Sequence, residues 1–421
     1  MILKPRYILE GLKGKTVANF FHLGLNQGIN VAVALIATPY LFQTLGEAEY
    51  GLVNLALSVV FLLAIAVNYG FNLNGPKEIA LLQVGSKEFN SLVVRILVIR
   101  ITLSLLLSLF VLVGVKYFNL FQGYGLLLTF SLVILLNEAL MPQFLLQGLD
   151  KLKWLSLANF FSKLAYLLLI FFVIQGEDDS IWVNFLLGAS GVIVNLMLLV
   201  FLFRDLSLSL YLPSWNGLKE SLKNNFSFFS STFASYILIN SGLMILTNFV
   251  SDENLGRYAV AQRIAFLLRM LPVFLTQSIL QKAAKMFQED RKGYDSFLKR
   301  ASLNGIGIGV LVGIVFSLAA PYVIRVVSGE YIPMSSNILR VLSFLPFVAM
   351  LNVSNMIKIL VTDQKKVLSK AIWLTTAGMI VSGSLGSYYL GGMGLAIALL
   401  CSEFINFLIH SYLLSKLPKS S

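Results

Sequence analysis

Residues 371–402 read AIWLTTAGMIVSGSLGSYYLGGMGLAIALLCS, a run without one charged side chain. About 20 apolar residues in a helix cross the hydrocarbon core of a bilayer. A helix is the required element, because every backbone amide and carbonyl must be satisfied within the segment when no water is available. The run therefore holds at least one transmembrane helix. The same reading extends outward to residues 16–46, 50–76, 180–203 and 224–251, which are also free of charge. Over all 421 residues, 57% are hydrophobic and 12% charged, against about 25% charged in a soluble domain. The expected fold class is all-α integral membrane.

Hydropathy places about twelve helices. In the first half they cover 17–42, 52–70, 92–115, 124–147, 154–174 and 181–203. In the second half they cover 226–250, 258–281, 302–327, 337–361, 367–389 and 393–415. The basic residues Lys4, Arg6, Lys13 and Lys15 precede an apolar run longer than a secretory core, which reads as a retained first helix. Alternate loops are basic: Lys77 and Lys87, Lys151 and Lys153, Arg204, Lys219 and Lys223, a cluster from Lys282 to Arg300, Lys365 to Lys370, and Lys416 with Lys419. The opposite loops hold Lys116, Arg257 and Arg325 and are otherwise acidic, with Glu47, Glu49, Glu177 to Asp179, Asp252 and Glu253. Basic loops stay cytoplasmic, so both termini are expected in the cytoplasm. This asymmetry accounts for most of the net charge of +12. The basic residues are scattered over loops and form no patch on one element, so no nucleic-acid partner is expected.

The chain divides near its middle. Residues 1–210 form an N-terminal six-helix lobe, 211–225 a cytoplasmic linker with an amphipathic surface helix over 211–223, and 226–421 a C-terminal six-helix lobe. The halves echo each other: Asn19-Phe-Phe precedes helix 1 and Tyr50-Gly-Leu-Val opens helix 2, while Asn225-Phe-Ser precedes helix 7 and Tyr258-Ala-Val opens helix 8. With six helices per half the repeat is parallel.

Polar residues fall in stripes. Asn19, His22, Asn26 and Asn30 share one face of helix 1, with Gln27 beside them. Helix 2 carries Asn54, Ser58 and Asn68; helix 7 carries Ser227, Ser230, Ser241 and Asn248; helix 8 carries Gln262, Arg269 and Thr276. A cavity between the lobes accounts for all four, and interhelical hydrogen bonding within each lobe is the alternative. Basic residues inside the spans are Arg95, Arg100, Lys163, Arg263, Arg269, Arg340 and Lys358; the acidic ones are Glu138 and Glu403. Arg95, Arg340 and Lys358 lie near helix ends, where the charge can snorkel to water. Arg100, Lys163 and Arg269 are deeper, where a cation costs at least ~2.5 kcal/mol to insert. Each needs an anionic partner, either Glu138 or Glu403 or an anionic substrate. Glu403 shares a face with Asn406 and His410 and, like Glu138, is a candidate for ion coupling. Prolines 39, 142, 272, 321 and 346 each remove a backbone donor and tend to kink their helices.

No Gly-x-x-x-x-Gly-Lys-Ser/Thr loop, His-Glu-x-x-His pair or serine elbow occurs, and no external loop is long enough for a catalytic domain. Cys401 is a single cysteine, and no metal-ligand spacing is present. The chain is expected to move a substrate, not to transform one, with no cofactor.

Three motifs now carry a resemblance. Pro39-Tyr-Leu-Phe-Gln-Thr-Leu-Gly46 followed by Tyr50-Gly51-Leu52 resembles the junction of helices 1 and 2 in bacterial polysaccharide flippases. Tyr69-Gly-Phe-Asn-Leu-Asn-Gly75-Pro-Lys77-Glu78-Ile-Ala80 resembles their helix 2–3 loop, with Pro76 as a departure. Phe144-Leu-Leu-Gln147-Gly148-Leu-Asp150-Lys151 resembles the element ending their helix 4. In order and spacing these are similar to the O-antigen flippase branch of the multidrug/oligosaccharidyl-lipid/polysaccharide exporter superfamily. The resemblance implies a V-shaped exporter fold of two six-helix bundles in the bacterial inner membrane. It implies alternating access and a substrate of undecaprenyl pyrophosphate carrying an oligosaccharide, moved from the cytoplasmic to the external leaflet for surface polysaccharide assembly. Peptidoglycan-precursor flippases, also related, usually carry fourteen helices. Arg269 and Arg263, supported by Lys163 and Arg100, would take the pyrophosphate; Asn26, Gln27, Asn30 and Gln262 would meet the sugars. A proton or sodium gradient is the candidate energy source, and membrane lipid, a polysaccharide polymerase and a chain-length regulator are candidate partners. A drug or metabolite exporter of the same superfamily stays open, as does a membrane-embedded glycan polymerase or ligase.

Overall fold

The computed structural model describes residues 5–416 apart from 212 and 363, with side chains from His22 onward except Leu23, Gln281, Lys292 and Lys365. Asn19 of the first polar stripe and the basic residues Lys4, Arg6, Lys13, Lys15, Lys292, Lys365 and Lys419 lie outside the described side chains. All regular structure among the described residues is helical. In chain order the α-helices are α1 (Pro5–Asn68), α2 (Phe71–Ala80), α3 (Lys87–Phe118), α4 (Gly125–Ser131), α5 (Val133–Leu140) and α6 (Gln143–Gly148). These are followed by α7 (Leu152–Val173), α8 (Ser180–Asp205), α9 (Trp215–Asn240), α10 (Gly242–Leu246), α11 (Asp252–Leu268) and α12 (Met270–Glu289). The last five are α13 (Arg291–Ser328), α14 (Pro333–Leu342), α15 (Leu345–Leu351), α16 (Val353–Val361) and α17 (Lys365–Ser415).

Among the described residues nine stretches are long and apolar enough to cross a membrane, against about twelve expected. Two of the long helices carry a non-helical residue inside: Gly46 (φ 73°, ψ 176°) divides α1 and Gly391 (φ 56°, ψ −137°) divides α17. A positive φ costs glycine nothing, so the chain turns at these residues. The expected span 226–250 falls on α9 and α10, which are not among the nine. The expected separate surface helix over 211–223 is instead the start of α9, which runs unbroken from Trp215 to Asn240. Between Leu218 and Asn240 there is no glycine or proline to stop it.

Prolines act unequally. Pro39 and Pro321 lie inside continuous helices, whereas Pro142 separates α5 from α6. There Met141 is extended (ψ 113°), the conformation that the proline ring imposes on its predecessor. The segment expected as a loop after helix 2 is largely the short helix α2. It starts after Gly70, whose φ of 80° turns the chain. Asn74 Nδ2 donates to Glu78 Oε1 at 2.7 Å along its surface.

The chain forms two compact units. The first comprises residues 1–38 and 59–233, the second residues 39–58 and 234–421. In the first, Phe71, Ile79, Phe89, Phe144 and Leu145 form the centre of a buried cluster. Here the second and third motifs meet. A Cβ at Gly75 would stand 3.0 Å from that of Phe144, and one at Gly148 would stand 3.0 Å from the Pro76 carbonyl oxygen. The missing side chains let α2 lie directly on α6. Tyr69 stacks on Phe229 at 4.7 Å.

In the second unit the chain around Gly51 lies against α11. A Cβ on Gly51 would stand 2.6 Å from the Gly256 amide nitrogen, and one on Gly256 would overlap the Glu47 carbonyl. Arg257 Nε donates to Glu47 Oε2 at 2.7 Å beside this contact. Membrane helices gain little from water exclusion and associate through such close packing and hydrogen bonds. Large apolar side chains such as Phe110, Phe172 and Leu318 remain exposed, as expected of lipid-facing surface.

Gly256→Ala is therefore expected to lower the melting temperature of the purified protein by several degrees, an overpacking cost of about 1–3 kcal/mol. Gly378→Ala, where an added Cβ meets nothing within 4 Å, is expected to leave it unchanged or raise it. Thermal unfolding in detergent compares the two; equal melting temperatures would contradict the close contact.

Candidate functional site

Two membrane-embedded ion pairs organise the predicted site residues, and they differ in what surrounds them. In the first unit Arg100 on α3 is 0% exposed. Its Nη2 is 3.0 Å from Glu138 Oε1 and also donates to the Glu138 backbone carbonyl, while Nη1 donates to the Met141 carbonyl at 2.9 Å. The cause is local. In a continuous helix the amide of residue 142 would bond the carbonyl of residue 138, but proline has no N–H. The guanidinium supplies the missing donors where the helix breaks. Asn68 Nδ2 adds a bond of 2.8 Å to the same Glu138 oxygen, and the Phe144 ring lies 5.9 Å from the guanidinium carbon. Of the alternatives open for Arg100 and Glu138, the structure gives internal pairing.

In the second unit Arg269 occupies the junction of α11 and α12. It donates through Nη2 to Glu403 Oε1 on the second arm of α17. This pair lines a cavity of about 370 Å³ together with Thr276, Asn352, Asn406 and His410. His410 Nδ1 lies 2.9 Å from the Asn406 carbonyl oxygen and 3.2 Å from the Asn352 amide nitrogen. A protonated Nδ1 donates to the carbonyl and an unprotonated one accepts from the Asn352 amide, so the two contacts correspond to different tautomers, while Nε2 is buried with no hydrogen-bond partner. Thr375 Oγ1 donates to Asn406 Oδ1 at 3.3 Å, and Asn355 Nδ2 donates to Ser411 Oγ at 2.8 Å close by. The cavity thus presents a cation, a carboxylate, amides and an imidazole on one wall system, a set able to hold an anion or to exchange a proton.

The remaining candidates are spread over both units. On α1, the carbonyl of Asn26 and the Oδ1 of Asn30 accept from Asn159 Nδ2 of α7 at 3.3 and 3.4 Å. Ser156 Oγ donates to the His22 carbonyl at 2.8 Å. The stripe of helix 1 therefore meets a stripe of α7 in the same unit, although the Asn26 side-chain oxygen is buried without a partner. Gln27 and Lys163 are half-buried. Gln262 is buried, its amide against Gly242. Arg263, half-buried on α11, does not line the cavity that holds Arg269. Asn352 and Asn355 went unnoticed in the sequence. Two asparagines three residues apart within an apolar span were the available signal.

The sequence model of the family described as "Polysaccharide biosynthesis protein" matches residues 16–283. A protein of Escherichia coli (strain K12) named "Putative O-antigen transporter" is 25% identical over 366 residues, 86% of this chain and 87% of its own length. One of the same name from Shigella dysenteriae is 22% identical over 92% of this chain and 97% of its own. Among solved structures, an inward-facing multidrug resistance MATE family transporter of the MOP superfamily superposes with a TM-score of 0.76 at 15% identity. It covers 96% of this chain and 99% of that one. The lipid II flippase MurJ in an inward closed conformation gives 0.72 at 15% identity, covering 96% and 88%. These likenesses give the chain the exporter fold of a multi-pass membrane protein.

Removing one partner of a buried ion pair strands the other at a cost of about 3–5 kcal/mol. Glu138→Ala is expected to lower thermal stability strongly, and Arg100→Met with Glu138→Leu to recover part of the loss. Melting curves of the single and double variants test this, and a harmless Glu138→Ala would contradict the brace.

Proposed function

Because this chain belongs to the polysaccharide biosynthesis protein family, we propose that it is a flippase for lipid-linked oligosaccharide units in surface polysaccharide assembly. Its substrate is an oligosaccharide on undecaprenyl pyrophosphate, carried by alternating access from the cytoplasmic to the external leaflet of a bacterial inner membrane. The alternation of basic and acidic loops supports an orientation with both termini in the cytoplasm.

The observation that carries this reading is the Arg269–Glu403 pair at the wall of a polar cavity. A guanidinium in a membrane interior must be neutralised. At rest Glu403 does so. An arriving pyrophosphate competes for the same donors through charge-assisted hydrogen bonds, which are the stronger kind and suit the planar guanidinium. Releasing Glu403 leaves a carboxylate without its cation, and binding a proton or a sodium ion then compensates it. Exchange of partners at Arg269 links anion arrival to ion uptake in one cavity. Arg263 and Lys163 add positive charge elsewhere on the route. Asn26, Gln27, Asn30 and Gln262 serve the sugars, with the Asn26 side-chain oxygen as an acceptor still to be filled. Arg100 and Glu138 act as an internal brace.

Losing one side of a charge-assisted pair costs about 2–5 kcal/mol, so Arg269→Ala should reduce transport more than tenfold. In a deletion strain of the native host, lipid-linked single units should accumulate and surface glycan should disappear. Wild-type protein restores the glycan, whereas Arg269→Ala, present in the membrane at a normal level, does not. Glu403→Gln should lose dependence on the ion gradient. Full complementation by Arg269→Ala would reject the role of this arginine. Normal surface glycan in the deletion strain, with no second flippase present, would favour an exporter of other metabolites.

A further inference from the structure

A second polar pocket lies where the start of α13 meets α16. It has a volume of about 450 Å³ and is lined by Asp295, Lys299, Ser302, Leu303, Ser354 and Lys358, closed at the back by Leu298. Lys299 and Ser302 stand near the beginning of the span Gly293–Ser328, and Lys358 near the end of the span Pro333–Val361. At 1.5 Å per residue the 36-residue span Gly293–Ser328 is about 54 Å long, well beyond a hydrocarbon core of about 30 Å. Lys299 and Ser302, about 9 and about 14 Å from its start, and Lys358, about 5 Å from the end of its own span, therefore fall at headgroup depth. Both lysines are exposed. Neither is in a salt bridge or side-chain hydrogen bond among the described residues, and Asp295 is not paired with them. The pocket therefore presents two ammonium groups against one carboxylate. Ser354 Oγ donates to Ser302 Oγ at 2.9 Å, which leaves the Ser302 hydroxyl proton free to donate outward.

The backbone under this pocket is fixed. Leu298 and Ile357, the neighbours of Lys299 and Lys358, are both buried in one cluster with Tyr294, Met350 and Val353. On the other side the pocket opens onto apolar surface. Leu303 is 57% exposed, and Leu311, Val315, Leu318 and Tyr322 continue the exposed face along α13. Their spacings of eight, four, three and four residues, all close to whole helical turns, keep them on one side of the helix. Gly307 interrupts that face, and a Cβ placed on it would meet nothing within 4 Å.

We propose that this pocket binds the phosphate of an anionic phospholipid, with an acyl chain lying along the exposed face of α13 over Gly307. Paired cations at headgroup depth attract a phosphodiester, and unlike a free phosphate the lipid also covers the apolar stripe below. A phospholipid held there would brace α13 against α16 beside the helices that carry the transport cavity.

The test uses the full chain in detergent, titrated with dioleoylphosphatidylglycerol, dioleoylphosphatidylcholine or inorganic phosphate and read by native mass spectrometry. Wild type should retain phosphatidylglycerol in preference to phosphatidylcholine. Lys299→Gln with Lys358→Gln should weaken phosphatidylglycerol about 25-fold, roughly fivefold per lysine. Lys285→Gln, an exposed lysine elsewhere that lies 3.7 Å from Glu289, should leave it unchanged. Gly307→Leu, which fills the proposed acyl path without altering charge, should also weaken retention. Unchanged binding in the double variant, an equal loss in Lys285→Gln, or displacement of the lipid by inorganic phosphate at similar concentration would each overturn the proposal. So would full retention in Gly307→Leu.

Discussion

Hydrocarbon offers a backbone carbonyl no water, so every interruption of a membrane helix must be satisfied by another part of the chain. The break at Pro142 states the problem in its simplest form. One amide is missing, the Glu138 carbonyl loses its helical donor, and Arg100 arrives from α3 to donate to it and to the Met141 carbonyl. The arginine is a cation, however, and its burial is tolerable only beside an anion. The residue whose carbonyl loses that donor, and keeps only a long 3.4 Å bond from the Met141 amide, carries the carboxylate itself, so one arginine side chain meets a backbone defect and a charge together. Asn68 adds its bond to the same carboxylate, tying the second arm of α1 to this point.

The Arg269–Glu403 pair obeys the same electrostatics under different boundary conditions. Arg100 is sealed, with three protein acceptors. Arg269 has one carboxylate partner and faces a cavity. A guanidinium whose two Nη groups are already bonded inside the protein gains little from a new anion, because it would have to surrender good hydrogen bonds. The Arg100 Nε, which has no partner among the described residues, is itself buried. A guanidinium with donors to spare gains charge-assisted bonds at small cost. In the proposed function it is this difference in accessibility, not in residue type, that separates a brace from a binding group.

That distinction could not be read from the chain. The uncharged runs, such as residues 371–402, revealed the membrane helices because apolar length is a local property. The face shared by Glu403, Asn406 and His410 was legible for the same reason, since helical periodicity orders neighbours in sequence. Pairing is not local. Glu138 lies 38 residues from Arg100, and Glu403 lies 134 residues from Arg269. Each basic residue in a span was equally compatible with either carboxylate or with a substrate. The α1 stripe has the same history: its periodicity was visible, but its partner Asn159 on α7 depends on how two helices dock. The helical state of α2 was hidden by Pro76. A proline usually argues against a helix interior, yet α2 is only ten residues long and is held flat on α6 by the glycines at 75 and 148.

Those glycines belong to a pattern with a common cause. Where membrane helices associate by close packing, side-chain-free positions set how near two backbones come. The sequence motifs around Tyr50 and Tyr258, which read as counterparts in the two halves, lie against each other in the second unit. Gly51 and Gly256 form the contact, both tyrosines are buried, and Arg257 reaches Glu47. Two features of this contact pull in different directions. Backbone against backbone is a rigid fit that tolerates no added carbon, whereas a half-exposed ion pair contributes only about 0–1 kcal/mol. The glycines therefore carry the stability of the contact and the ion pair fixes its register, so the repeated motif is a packing signature first and an electrostatic one second.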